Sequence, residues 1–121
     1  MSPSRRLLLA AVSAALAAAP VSAQRAAADV PIAETHVPWE RSRPPDPYVA
    51  PDGKIWFVGQ VGNYVAVYDP ATRAFKKYDL EAGALPHNNI VDADGIVWYA
   101  GNANGTIGRL DPATGAIKVI K

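Results

Sequence analysis

One stretch of this chain occurs twice, 42 residues apart and without a gap. Asp52-Gly53-Lys54-Ile55-Trp56-Phe57-Val58-Gly59 aligns with Asp94-Gly95-Ile96-Val97-Trp98-Tyr99-Ala100-Gly101. Tyr68-Asp69-Pro70-Ala71-Thr72 aligns with Leu110-Asp111-Pro112-Ala113-Thr114, and Pro44, Val49 and Lys76 align with Pro86, Val91 and Lys118. A fixed period of this size marks a unit that cannot bury its apolar face alone and must stack on copies of itself.

Each copy reads as four short strands. The first covers 46–50, or 88–92. Asp-Gly follows as a hairpin turn that accepts positive φ at both central positions. The second strand, 54–58 or 96–100, is rich in β-branched and aromatic residues. Gly62-Asn63, or Asn104-Gly105, turns the chain into a third strand at 64–68 or 106–110. Asp-Pro-Ala-Thr closes it, with Asp accepting backbone bonds and Pro presetting φ. The fourth strand is 75–78, or 117–120. Apolar periodicity is two, and Gly or Pro interrupts every ten residues or so, so no helix is expected here. Four strands in this period are the signature of a β-propeller blade. The expected fold is all-β, with blades at 44–85 and 86–121. Forty-two residues before the first fourth strand lie Ile32-Ala33-Glu34-Thr35-His36-Val37-Pro38. Residues 32–38, within an N-terminal segment at 24–43, are expected to be a closing strand belonging to a blade not in this sequence. Two blades cannot close a ring. The expectation is a truncated or incomplete ring, and the alternative is a short chain that self-assembles into one.

The N-terminus points to export. Arg5-Arg6 precede the apolar run Leu7 to Ala19, and Val21-Ser22-Ala23 supplies a small-residue cleavage pattern. This describes a signal peptide at 1–23, cut after Ala23 or after Ala28; the apolar run is short for a membrane span. The paired arginines suit a Sec or a twin-arginine route, so a periplasmic or secreted location is expected. Removing the signal takes away two arginines and no acid, which turns the formal charge from +1 to −1. No basic run stands out, which argues against nucleic acid, and no membrane association is expected after cleavage. With no cysteine, disulfides, thiolate metal sites and Cys nucleophiles are excluded.

The candidate binding residues cluster where loops between strands two and three, and the starts of first strands, face the mouth of a central channel. They are Asp46, His87, Asn88 and Asn89, with Gln60, Asn63, Tyr64, Asn102 and Asn104. His87 replaces Pro45 of the first copy, so the repeat does not need it to fold. Imidazole there could act as base or ligand. Asp46, Asn88 and Asn89 could offer oxygen to a hard cation, and the amides suit a peptide or sugar-like ligand. Each could equally satisfy its own loop. Asp92-Ala93-Asp94-Gly95 has the look of a calcium loop but lacks the later ligands, and it reads as a turn. Trp56 and Trp98 are expected in the core between blades. Trp39, with Glu40-Arg41-Ser42-Arg43, lies on the entry to the first blade and is unassigned.

The run Pro86-His87-Asn88-Asn89-Ile90-Val91-Asp92-Ala93-Asp94-Gly95-Ile96-Val97-Trp98-Tyr99, followed by Thr106-Ile107-Gly108-Arg109-Leu110-Asp111-Pro112-Ala113-Thr114-Gly115, resembles the blade repeat of the virginiamycin B lyase, or streptogramin lyase, family. The resemblance covers both repeats. It implies a seven-bladed ring, for which seven periods need roughly 290 residues. It implies Mg²⁺-assisted, general-base elimination that linearises a cyclic depsipeptide antibiotic at its ester bond. The family's catalytic residues lie in later blades, so no catalytic residue is assigned here and this chain alone is expected to be inactive. A non-catalytic exported propeller that binds a small molecule, peptide or partner protein is the alternative. Closing the ring requires the remaining blades or self-assembly.

Overall fold

The computed structural model describes residues 30–121; the expected signal peptide and its cleavage sites lie outside them. Eight strands form: β1 Tyr48–Val49, β2 Ile55–Gly59, β3 Tyr64–Asp69, β4 Ala74–Asp79, β5 Pro86–Val91, β6 Val97–Gly101, β7 Thr106–Leu110 and β8 Ile117–Ile120. They make two four-stranded antiparallel sheets, β1-β2-β3-β4 and β5-β6-β7-β8, each in sequence order. Among the described residues there is no helix. These are two blades of a β-propeller.

The backbone repeats as faithfully as the sequence. Positive φ recurs in phase at Arg41 and Gly83, Arg43 and Leu85, Gly53 and Gly95, Asn63 and Gly105, and Arg73 and Gly115. Only Asp46, at φ 44°, has no counterpart. The pairs 41/83 and 43/85 lie in the segments that lead into each blade, so the stretch before the first blade bends as the linker between the blades does.

The hairpin expectation needs correction. The Asp-Gly hairpins have positive φ at Gly53 and Gly95 alone, not at both central residues. Ala50 N donates to Lys54 O and Gly53 N to Ala50 O, each at 2.9 Å. Asp92 N and Gly95 N repeat the pattern at 2.9 and 3.0 Å. The loops are therefore three residues long, a tight turn followed by one left-handed glycine. Residues 32–38 pair with none of the described strands, and the blade they were expected to complete is not in this sequence. Val37 instead packs on the first blade.

Strand periodicity of two divides each sheet into faces. Trp56, Val58, Val65, Val67 and Tyr78 occupy one face of the first blade. They pack with Val91, Val97, Tyr99 and Leu110 of the second blade in one core cluster. The other face of the first blade carries Phe57, Tyr64 and Ala66, covered by Val37, Trp39, Tyr68 and Phe75. The second blade presents the in-phase counterpart of the first blade's packed face to solvent: Ile90 is 55% exposed, Ile107 54% and Ile120 43%. Trp98 lies on this open face, half-buried, with the Arg109 guanidinium 6.0 Å from its ring centroid. Only Trp56 therefore occupies the core between the blades.

Candidate functional site at the blade mouth

β5 has an irregularity not anticipated from the repeat. Pro86 pairs with Gly101 and Asn89 with Tyr99, so one extra residue is accommodated between them. This bulge carries His87 and Asn88, and bulges re-aim side chains beside sites. On the neighbouring blade, Asp46 stands at the in-phase position of Asn88 with a left-handed backbone. The two irregularities bring His87 Nδ1 to 3.5 Å from Asp46 Oδ2, with both side chains more than half exposed. Sequence reasoning placed both residues at the mouth but did not pair them. A carboxylate this close to an imidazole nitrogen helps to orient the ring.

Asn88 is exposed beside this pair. Asn89, 4% exposed, is buried with no hydrogen-bond partner for either side-chain polar atom. Gln60 and Asn102 share a cleft of about 390 Å³ with Arg41, Arg43, Val61, Leu85 and Ala103. The larger cleft, about 480 Å³, lies at the opposite end of the sheets between the 50–54 and 92–95 loops, with Trp56 and Tyr78 in its wall.

Three of the candidates hold the fold together. Tyr64 is 1% exposed, and its ring covers Gly59, its ladder partner, so closely that a Cβ there would lie 2.1 Å from the ring. It faces Trp39 edge-on at 5.3 Å and Phe57 at 6.4 Å, in the core and away from the rim surface. Asn63 Nδ2 donates to Glu81 O at 2.8 Å and to Leu80 O at 3.3 Å, and Asn63 Oδ1 accepts from Leu85 N at 2.8 Å. It fastens the linker between blades to the first blade. Asn104 Oδ1 accepts from Thr106 N at 3.2 Å, and its Nδ2 donates to Glu81 Oε1 at 3.2 Å.

Glu81 was not picked out by the sequence. Its carboxylate accepts from Tyr99 Oη at 2.7 Å, Thr106 Oγ1 at 2.9 Å and Asn104 Nδ2. Burial opposes its charge, but the bonds from Tyr99, Asn104, its own backbone and Thr106 outweigh it and hold the carboxyl below its ordinary value. Burial and then Glu81 itself push the Tyr99 hydroxyl above its ordinary value. The signal that could have found Glu81 is its phase: it stands 42 residues after Trp39. Trp39 fills the same slot of the first blade, against Tyr64 and Phe75.

Asp92 is also fully engaged. Oδ2 accepts from Trp98 Nε1 at 2.7 Å, and Oδ1 from Asp94 N and Ile96 N at 3.0 Å each. Trp98 foremost, and then these amides, keep its carboxyl below the ordinary range. The calcium-like spacing is thus a hairpin closed by its own carboxylate.

The resemblance implies Mg²⁺, which favours oxygen ligands in near-octahedral order. Among the described residues, no three His, Asp or Glu side chains converge. Asp46 and His87 supply one carboxylate and one nitrogen, a set that does not fit a self-contained magnesium site.

No protein-family model and no curated protein sequence matches the chain. Solved structures do. Selenomethionine-substituted virginiamycin B lyase from Staphylococcus aureus matches with 25% identity and a TM-score of 0.63, over 68% of this chain and 28% of that one. A catalytically inactive histidine-to-alanine variant of the Staphylococcus aureus enzyme, with quinupristin, matches with 28% identity and a TM-score of 0.63, over 70% of this chain and 29% of that one. A streptogramin B lyase structure matches in fold, at 24% identity and a TM-score of 0.63. The chain thus spans under a third of the length of the first two structures. Two blades in register at 42 residues, stacked face to face and matched by these structures, make this chain similar to the β-propellers of the virginiamycin B lyase family.

Proposed function

We propose that these blades form part of an exported streptogramin lyase-like propeller, with the mouth around His87 and Asp46 contributing to ligand binding. The observation that carries this is the His87–Asp46 pair, 3.5 Å apart, built by a bulge on one blade and a left-handed residue on the next. It stands at the end of the inner strands in a fold matched by an enzyme solved with quinupristin. The ligand class is a cyclic depsipeptide of the streptogramin B type. In the reaction the resemblance implies, a base removes a proton next to a carbonyl and the ester C–O bond breaks. His87, held by Asp46, can accept a hydrogen bond or proton at its other nitrogen. Export rests on Arg5-Arg6 and the apolar run that follows.

A second reading is a non-catalytic propeller that binds its ligand at the same mouth. It is favoured by the use of Asn63, Asn104 and Glu81 to hold blades together, which leaves no third acid or histidine beside the His87–Asp46 pair among the described residues.

Quinupristin titrated into the chain, followed by NMR of the His87 ring, tests the first reading. Saturable shifts at His87 that weaken by up to about fivefold in Asp46→Ala support it, since an exposed pair of this kind contributes at most about 1 kcal/mol. Unchanged His87 signals at saturating antibiotic contradict it. Linearised product, detected by mass spectrometry with magnesium present, separates the lyase from the binding module.

A further inference from the structure

The cleft beside the mouth has a chemistry the lyase-like reading does not use. Arg41 and Arg43 both line it, together with Gln60, Asn102, Val61 and Leu85. Among the described residues, the ion pairs are Lys54–Asp52, Lys77–Asp79 and His87–Asp46, so neither arginine has an acidic partner. No acid lines the cleft.

The backbone sets both arginines in one bend. Arg41 has φ 55° and Arg43 φ 41°, both left-handed. A non-glycine residue there costs on the order of 1–3 kcal/mol and persists where the surroundings or a function require it. The bend itself belongs to the repeat, since Gly83 and Leu85 adopt it in phase; what is particular to the first linker is that both positions carry arginine. At the first linker the chain places two arginines on either side of Ser42, whose hydroxyl donates to Trp39 O at 2.6 Å and pins the turn. Arg43 O accepts from Gln60 N at 3.4 Å, tying the arginine turn to the loop that carries Gln60.

We infer that this cleft binds an oxyanion, a carboxylate or phosphate group of a small ligand, through Arg41 and Arg43 with the amides of Gln60 and Asn102. Planar guanidinium forks match both anions and bind them in paired hydrogen bonds. Side-chain amide N–H groups add neutral donors. The volume, about 390 Å³, is that of a small-molecule site. The site is open to solvent, so its affinity is modest and falls with salt.

The test is a titration of the isotope-labelled chain with inorganic phosphate and, separately, with acetate, read on the arginine Nε–H and amide side-chain signals. Saturable shifts at Arg41, Arg43, Gln60 and Asn102 are expected. Tighter binding of phosphate assigns a phosphate ligand, and tighter binding of acetate a carboxylate ligand. In the double variant Arg41→Gly, Arg43→Gly, affinity falls about tenfold or more. Glycine keeps the left-handed bend, so the melting temperature stays level or rises and loss of binding is not loss of fold. Shifts that never saturate, or that survive the double variant unchanged, overturn the inference. Antibiotic binding at His87 is read separately, so the two proposals fail independently.

Discussion

At the scale of single residues, the outcome is decided by where hydrogen bonds and glycines fall. Tyr99 lies over Gly108, where a Cβ would come within 1.8 Å of its ring. Gly108→Ala should therefore displace Tyr99 from Glu81 and destabilise the chain by about 1–3 kcal/mol, measurable by denaturant melts. Tyr99→Phe leaves the ring and removes the donor; a loss of about 1 kcal/mol is expected. The pH dependence follows from the same cluster. A carboxyl held low contributes stability that is present above its ordinary pKa and is lost as pH falls through the lowered value. The blade contact at Glu81 should thus weaken below about pH 4. Tyr99, held high, contributes below about pH 10 and its contribution is lost as pH rises beyond that. Melting temperatures across pH, with Glu81→Gln flattening part of the acid limb, check this. Of the cluster only Asn104 was picked out from the sequence, because Glu81 acts on the blade after it and its phase-mate is a tryptophan.

At the scale of elements, the strands were legible because period-two alternation and turn residues agree in both copies. β7 and β8 lie where the pattern put them, at Thr106–Leu110 and Ile117–Ile120. Turn geometry was less legible, because Asp-Gly fits both two- and three-residue loops and the choice is made by the ladder that flanks it. Tyr64 was placed at the rim since it follows a polar loop, but pairing with Gly59 turns its ring inward. The in-phase left-handed positions give a direct test of strain. Arg73, φ 59°, sits where the second blade has Gly115. Arg73→Gly should raise stability by up to about 1 kcal/mol, in contrast to a glycine placed elsewhere in a strand. Trp39→Ala removes the plug over Phe57, Tyr64 and Phe75. Because Trp39 is only half-buried, a cost of about 2 kcal/mol is expected by thermal or denaturant unfolding, below the range for a fully buried tryptophan.

At the scale of the whole molecule, the two blades show how one face recognises the next. Trp56, Val58, Val65 and Tyr78 of the first blade are buried on the second. Their counterparts Trp98, Ala100, Ile107 and Ile120 form an open apolar face. Burial stabilises by about 25 cal/mol per Å², so this face favours a further blade, supplied by the rest of a ring or by another copy. The measurement that tests this stacking most directly is light scattering after size exclusion, comparing the chain with Ile107→Lys. The account predicts that the unaltered chain associates through the open face and that Ile107→Lys abolishes association while the β circular dichroism signal is kept. A monodisperse, folded monomer at all concentrations, indifferent to the substitution, would contradict it.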